Sequence, residues 1–400
     1  MMKNRFKKNI RITKVSVVIL SILVLIGLFG WHKSRATASI SKEPSYMYAV
    51  LKDIPIDNDK ILERIQKEKE SIIKSQKTKE NTLILEISHD NIIYNVAIQR
   101  IMDMIIPDYL VNIHDIDQEE YNRILKMKNS IGTSVIFADD NMKSYHFQIK
   151  LLNIIAPEML SVVDFNAYKM LGKKWIDLTA KSQFAPSPSY ITTIFTMNKN
   201  DDVWVYSAGL RRCGSLEIEI INSDIENYGL HYSVLDIMSG MIVGQNKLGN
   251  SKEAMHIGAN IFFTWIPTQD ALKGLKNDSL GSLKDGENGA YQDTAIIFPY
   301  LNEENAKKKK ISNISEVNEL LKKESLYYIS DEETERMSGL AAERWDYVVR
   351  ALQNPKMEIS MKFGIPTADA GIPNESKEHM WFLIKEIKED KIIGVLNNFL

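Results

Sequence analysis

The stretch DVWVYSAGLRRCGSLEIEI, residues 202–220, decides the fold class of this sequence. Residues 203–206 are all β-branched or aromatic, a composition that favours a strand. Residues 216–220 alternate apolar with acidic side chains, which predicts a second strand with its apolar residues inward and Glu217 and Glu219 outward. Two strands joined by a glycine-flanked loop form an antiparallel hairpin, so we predict an α+β protein without a regular alternation of strands and helices.

The loop of this hairpin carries Arg211, Arg212 and Cys213. Neighbouring arginines can hold an anion through paired hydrogen bonds, but loop arginines are more often solvated charges, and the second interpretation is favoured. Cys213 is the single cysteine of the chain, which excludes an intramolecular disulfide and a cysteine-rich zinc cluster. No histidine lies close to it in sequence, so we expect an unreactive thiol.

The composition limits which classes of protein this chain can belong to. The chain has 400 residues, of which 44% are hydrophobic and 26% charged, and this length suits about two to three globular domains. The net charge is -2, so nucleic acid is not an expected partner. The seven histidines lack the spacing of two ligands on one helix, so we predict no metal site and no cofactor.

The N-terminus predicts a membrane anchor. Residues 1–14 are a basic leader, and residues 15–31, VSVVILSILVLIGLFGW, contain no charge. A transmembrane helix needs about 17–25 residues, so this run is long enough to span a bilayer. The positive-inside rule places the N-terminus in the cytoplasm and the bulk of this single-pass protein outside it, with the lipid bilayer as a partner. The alternative is a cleaved signal peptide, because ATA at residues 36–38 fits a cleavage site.

Three regions are predicted after the anchor. Residues 32–81 are interpreted as a linker with a charged helical stalk, residues 82–325 as the main α+β domain, and residues 326–400 as one helix on a small antiparallel sheet. The patterns of the main domain predict a strand at 83–88, a helix at 91–105, a helix capped by Asp117, and a hairpin of strands at 134–138 and 145–152. The patterns of the last region predict a helix at 330–352 and strands at 357–363, 379–387 and 391–398.

Several segments occur in the order found in two uncharacterised families. The segments FQIKLLNIIAPEMLSVVD, WVYSAGLRRCGSLEIEI, GANIFFTWIPTQDAL and SDEETERMSGLAAER lie within residues 83–350, a region that resembles the bacterial domain of unknown function 4026. The segments MKFGIP, EHMWFLIKEI and GVLNN follow in order, and residues 335–400 resemble domain of unknown function 2314. The second resemblance implies that the chain stops short of the full module. Neither resemblance implies an activity.

Function is predicted mainly by exclusion. The sequence has no nucleophile elbow, no His-Glu metal motif and no nucleotide-binding loop, so we predict no catalytic residue. We expect a membrane-anchored binding or interaction protein with an unknown protein partner, in a protective or immunity-like role or as a structural member of a membrane complex. The alternative is a hydrolytic enzyme whose acid and base meet only in the fold, either His379 with Glu378 or His146 near Asp164.

The predicted binding residues are chosen by type. Aromatic and arginine side chains are enriched where proteins contact their partners. On this ground the candidates are Trp204, Tyr206, Arg211, Arg212, Trp265, His379 and Trp381.

Overall fold

The computed structural model describes residues 40–107, 110, 112–245, 248–258, 260–274, 280–281, 293–323, 331–366, 377–389 and 391–397. Within these residues the fold is mixed α+β, as predicted, with three sheets. No helix of this part of the chain has both the length and the apolarity to cross a membrane, so the predicted fold class is wrong where it begins with a transmembrane helix. Residues 15–31, where that helix was placed, lie outside the described residues.

The first sheet is formed by the N-terminal strands. They are β1 (Ser45–Leu51), β2 (Ser71–Lys79), β3 (Thr82–His89), β4 (Ile92–Ile101), β5 (Asn112–His114), β6 (Asn129–Val135), β7 (Ser161–Asp164) and β8 (Lys169–Gly172). Their order is β2-β3-β4-β6-β1-β7-β8-β5, and β5 pairs with β8 in parallel. Strand β1, with the sequence SYMYAVL, pairs with β6 on one side and β7 on the other, and almost all its side chains are buried. Residues 45–51, predicted as linker, are thus a central strand of the sheet.

Four helices accompany this sheet. They are α1 (Asn58–Lys67), α2 (Gln118–Ile124), α3 (Asn141–Ile155) and α4 (Lys173–Lys181). The side chains of Asp57, Asp117 and Asp140 accept hydrogen bonds from backbone N–H groups in the first turns of α1, α2 and α3. Such N-caps satisfy donors that the helix itself cannot. The predicted helix with Asp117 as its cap is therefore confirmed.

Two segments adopt the opposite secondary structure to the prediction. Most of the predicted helix 91–105 instead forms the strand β4, Ile92–Ile101, in which the buried Tyr94, Val96 and Ile98 follow a period of two. Residues 145–152 belong to α3 instead of a strand. Nearly every face of α3 is buried, including polar side chains such as Ser144 and Gln148, so the segment has no apolar stripe that reveals a helical period.

The charged stretch 57–80 is only partly helical. It forms α1 and then β2, which pairs with β3. Ile61 and Ile65 of α1 are fully buried, so the helix packs on the core and does not form a stalk.

The second sheet has six strands in the order β12-β13-β14-β11-β10-β9. They are β9 (Thr193–Lys199), β10 (Asp202–Ala208), β11 (Glu217–Asp224), β12 (Met255–Gly258), β13 (Ile261–Pro267) and β14 (Thr294–Tyr300). The helices of this region are α5 (Tyr228–Gln245), α6 (Thr268–Ala271), α7 (Glu303–Lys307) and α8 (Asn318–Lys323). Buried side chains from both large sheets form one hydrophobic cluster, so the two halves share a core.

The hairpin of β10 and β11 is confirmed, but its glutamates do not face solvent. Glu219 is 2% exposed and accepts hydrogen bonds from Trp204 Nε1 at 2.9 Å and Thr268 Oγ1 at 2.6 Å. Glu217 accepts one from Ser207 Oγ at 2.6 Å. Burial raises the pKa of both carboxyl groups, because the charged form loses its hydration.

The hairpin loop forms a short 3-10 helix, Leu210–Cys213. Gly209 precedes it with φ 110°, and a Cβ there would lie 2.4 Å from the carbonyl oxygen of Ile191, so only glycine fits. Arg212 is fully buried, which makes the solvated-charge interpretation wrong for this residue. Its guanidinium donates a hydrogen bond to each carboxylate oxygen of Asp164, both at 2.9 Å.

The C-terminal region forms a third, three-stranded antiparallel sheet with two helices, as predicted in outline. Its elements are α9 (Asp331–Glu343), α10 (Trp345–Leu352), β15 (Ile359–Pro366), β16 (Lys377–Lys388) and β17 (Lys391–Leu396). The predicted single helix is broken at Arg344, whose φ and ψ of -102° and 12° leave the helical region.

Candidate functional site

A cleft of about 1020 Å³ lies where α3, α5 and α9 meet the turn between β3 and β4. Residues 183–189, which connect the two large sheets, form a further wall. Ligand pockets in proteins occupy about 300–1,000 Å³, so this cleft has room for a substantial ligand.

His89 lies at one end of the cleft, at the end of β3. Its side chain is buried, with Nδ1 at 3.1 Å from Ser71 Oγ and Nε2 at 3.6 Å from Asp90 Oδ2. The register of β2 and β3 places Ser71 directly opposite His89. Burial lowers the pKa of His89, although the Asp90 carboxylate opposes this effect, so the imidazole is neutral at pH 7.

His146 projects from α3 into the wall of the cleft. Its Nε2 lies 2.8 Å from the carbonyl oxygen of Thr179, and this contact ties α3 to α4. Burial lowers the pKa of His146 to about 4, so the ring is neutral across the physiological range. Its bond to a main-chain carbonyl indicates a structural role for this histidine.

The described lining of the cleft carries more acids than permanent cations. The acids are Asp90, Asp140, Asp236, Glu332 and Glu333, and the cations are Lys143, Lys150 and Arg336. Lys143 pairs with Asp140 at 3.7 Å, and Arg336 pairs with Glu333. With five acidic and three basic side chains, the described lining carries more negative than positive charge, which favours positive groups on a ligand.

Helix α9 is fixed to the connecting segment by its last residue. Glu343 accepts a hydrogen bond from Ser182 Oγ at 2.6 Å and another from the Gln183 backbone N–H at 2.8 Å. Gly339 lets the ring of Phe184 approach the helix, since a Cβ at this position would lie 2.2 Å from it. The C-terminal region thus contributes one wall of the cleft.

Helix α5 lines the cleft with a side that includes two glycines, Gly240 and Gly244. Asp236, Ile237, Gly240 and Gly244 line the space, and a Cβ on Gly244 would meet no atom within 4 Å.

Burial raises the pKa of Asp236, while the nearby Lys169 lowers it. Burial also lowers the pKa of Lys169 to about 8, despite the attraction of Asp164. The Lys169 ammonium donates to the carbonyls of Ser189 and Thr192, so it holds the connecting segment in place.

Comparison with known families identifies both halves of the molecule. Residues 45–186 match the family described as protein of unknown function (DUF4026) N-terminal, and residues 191–298 match its C-terminal counterpart. The chain belongs to the DUF4026 family. No curated protein and no solved structure matches it.

The two DUF4026 matches follow the architecture. The N-terminal match spans the first sheet and α1–α4, and the C-terminal match spans α5, α6 and nearly all of the second sheet. The border between them falls in the connecting segment that lines the cleft. The matches begin at residue 45, earlier than the predicted residue 83, and they end at residue 298. No family match covers residues 335–400, so their resemblance to domain of unknown function 2314 is not shown.

Three of the predicted binding residues of this DUF4026 protein are aromatic side chains of the second sheet. Trp265 is 3% exposed, and its Nε1 donates to the Gly249 carbonyl at 3.0 Å. Trp204 and Tyr206 are half-buried with ring centroids 4.4 Å apart. None of the three is among the described residues that line the cleft.

Arg211 and Arg212 are separated by the fold although they are neighbours in sequence. Arg211 is 39% exposed and pairs with Glu43 at 2.5 Å and Asp293 at 2.9 Å. Arg212 is directed into the core toward Asp164. The two guanidinium groups therefore do not lie together to bind one anion.

His379 and Trp381 lie on β16, away from the described cleft lining. Both are at least partly exposed, and Lys362 Nζ lies 5.8 Å from the Trp381 ring centroid. The acid–base pair suggested for His146 does not form, because its Nε2 meets Thr179 while Asp164 is bound by Arg212. Binding by the seven predicted residues stays a prediction.

The sequence patterns did not point to the cleft. Its histidine His89 and the adjacent Asp90 end a strand at a tight turn, whereas the sequence patterns predict a helix over residues 91–105. Positive φ at Asp90 and Asn91, 51° and 63°, is typical of a two-residue hairpin turn, and the pair Asp-Asn between two apolar runs indicates such a turn.

Proposed function

We propose that this DUF4026 protein is a binding protein, and that its cleft takes a segment of a partner protein carrying a basic side chain. The observation that carries the proposal is the cleft of about 1020 Å³ with five carboxylates and three lysine or arginine side chains among its described lining. A surface on which carboxylates outnumber basic side chains attracts an arginine or lysine and disfavours an acidic residue.

The volume and the mixed lining of the cleft support a peptide more than a compact ligand. Its volume is at the upper limit for small-molecule pockets. Apolar side chains such as Ile92, Met142 and Ile237 line the cleft together with the charged groups. A peptide segment offers both apolar and charged side chains, so it matches this mixed surface.

The proposal is tested with fluorescein-labelled pools of hexapeptides that have either a central arginine or a central glutamate. Fluorescence polarisation should give saturable binding for the arginine pool, at least about tenfold tighter than for the glutamate pool. Gly244→Trp should block the cleft and remove this binding, because Gly244 faces open space there. Gly229→Trp is the matched control, since Gly229 also faces open space on α5 but does not line the cleft.

Three results would count against the proposal. They are no saturable binding, equal affinity for both pools, and binding that Gly244→Trp leaves intact. Competition by free arginine amide with the affinity of the peptide would show instead that the cleft takes a small amine.

The finer expectations from the sequence stay predictions beside this proposal. They are the protective or immunity-like role, the contact with a lipid bilayer, and the location of the bulk of the chain outside the cytoplasm. We also propose that residues 335–400 are a module similar to domain of unknown function 2314. The support is the predicted order of helix and antiparallel strands, which α9, α10 and β15–β17 follow.

A further inference from the structure

Three side chains of the types that bind metals meet at the β3–β4 end of the cleft. They are Glu70, His89 and Asp90, and one ligand atom of each lies within 4.8 Å of the others. Glu70 immediately precedes β2, while His89 ends β3 and Asp90 lies in the following turn. The antiparallel pairing of Ser71 with His89 brings these two chain segments together.

His89 is arranged as a metal-binding histidine would be. Its side chain is 5% exposed, and its Nδ1 contacts Ser71 Oγ at 3.1 Å. In the tautomer in which Nδ1 donates to this hydroxyl, Nε2 carries its lone pair toward Asp90. Histidines that bind metals commonly use one ring nitrogen in this way and coordinate with the other. The ring of Phe147, with its centroid 5.3 Å from that of His89, packs beside the imidazole.

The carboxylates are placed where they can complete the set. Asp90 Oδ2 is 3.6 Å from His89 Nε2, close to the separation of about 3.4 Å between two ligands of a tetrahedral ion with bonds of about 2.1 Å. The side chain of Glu70 is exposed and can rotate toward the same point. His89 and Asp90 both line the cleft, so coordination positions left by three protein ligands open toward it.

We propose that Glu70, His89 and Asp90 form a binding site for a divalent cation of the Zn²⁺ type at the end of the cleft. Two carboxylates balance the charge of the ion, and the imidazole nitrogen selects a borderline metal over Mg²⁺, which prefers oxygen ligands and retains its water. The inference goes beyond the proposed function, because metal binding does not require a peptide in the cleft.

The test is isothermal titration calorimetry of Zn²⁺ alone into the tag-free full chain after treatment with a chelator. We expect one Zn²⁺ per chain and weaker binding of Mg²⁺. Glu70→Gln and Asp90→Asn should each weaken Zn²⁺ binding by at least about tenfold. Both side chains are exposed, so these variants keep the core intact.

Two matched controls make the result specific to this cluster. Glu80→Gln changes an exposed glutamate at the opposite end of β2, and Asp201→Asn changes an exposed aspartate in the β9–β10 turn. Neither should alter the affinity for Zn²⁺. Absence of saturable Zn²⁺ binding, or an equal loss in the controls, overturns the proposal. The Gly244→Trp variant should still bind Zn²⁺, so the metal site and the peptide cleft can fail independently.

Discussion

Arg212 and Asp164 form a bidentate ion pair in which both side chains are fully buried, and the pair joins the two halves of the molecule. Arg212 lies in the hairpin loop of the second sheet, and Asp164 ends β7 of the first sheet. The same guanidinium donates to Ser45 Oγ at 3.0 Å and to the carbonyl of Ile191. Separation of the two partners would leave a buried charge without compensation, which is strongly destabilising.

Removal of the buried arginine should be severe. Arg212→Met leaves Asp164 buried without a counter-charge, and we expect the free energy of unfolding to fall by about 3–5 kcal/mol. Urea unfolding followed by tryptophan fluorescence measures this loss. The neighbouring variant Arg211→Met is the control, with an expected loss of about 0–1 kcal/mol, because the Arg211 pairs are partly exposed to solvent. Equal losses in the two variants would contradict the assigned role of Arg212.

Cys213 should be unreactive in the folded protein. Its thiol is buried, and burial raises its pKa to about 12, so thiolate is scarce at pH 8. A chromogenic disulfide reagent at pH 8 should detect almost no thiol in the native protein and one per chain in urea, since the chain has one cysteine. Rapid stoichiometric reaction without denaturant would show that the loop opens readily.

His146 should make the protein less stable in acid. Its pKa is about 4 when folded against 6.5 for an ordinary histidine, so the unfolded chain binds the proton more tightly. The stability that depends on a neutral His146 is complete above pH 6.5 and is lost as the pH falls toward 4, by up to about 3 kcal/mol.

The control for this effect is His146→Gln, whose amide can still donate to the Thr179 carbonyl. Stability curves measured between pH 7.5 and 4 should show a steeper decline for the wild type than for this variant. Parallel curves would mean that the proton of His146 is not linked to folding.

Gly209 should not tolerate a side chain. Gly209→Ala forces an L-residue to adopt φ 110° and places Cβ 2.4 Å from the Ile191 carbonyl oxygen. The expected loss of stability is about 1–3 kcal/mol, seen as a lower Tm in calorimetry. Gly249→Ala is the control and should stay within about 0.5 kcal/mol of the wild type, because its Cβ would meet no atom within 4 Å. An unchanged Tm for Gly209→Ala would show that the loop can adopt another conformation.

Part of this structure follows from local sequence. The β10–β11 hairpin, the helix capped by Asp117 and the C-terminal antiparallel strands were predictable, because alternation, capping and turn chemistry act over a few residues. The resemblance to the DUF4026 family was likewise carried by short ordered motifs and is confirmed over residues 45–298.

Other elements depended on contacts between residues far apart in the chain. Local periodicity does not predict helix α3, because burial on nearly every face removes the apolar stripe. The position of β1 at the centre of the first sheet requires β6 and β7, which follow it by about 80 and 110 residues in the chain.

The sequence by itself determined the α+β class and the hairpin that carries Arg212, since each rests on residues close together in the chain. Only the tertiary structure decided that Arg212 is buried against Asp164, 48 residues away. It also decided that His89, Glu70 and Asp90 meet at the end of a cleft. The physical reason is that burial, ion pairing and metal-binding geometry depend on where distant segments pack, which local periodicity does not encode.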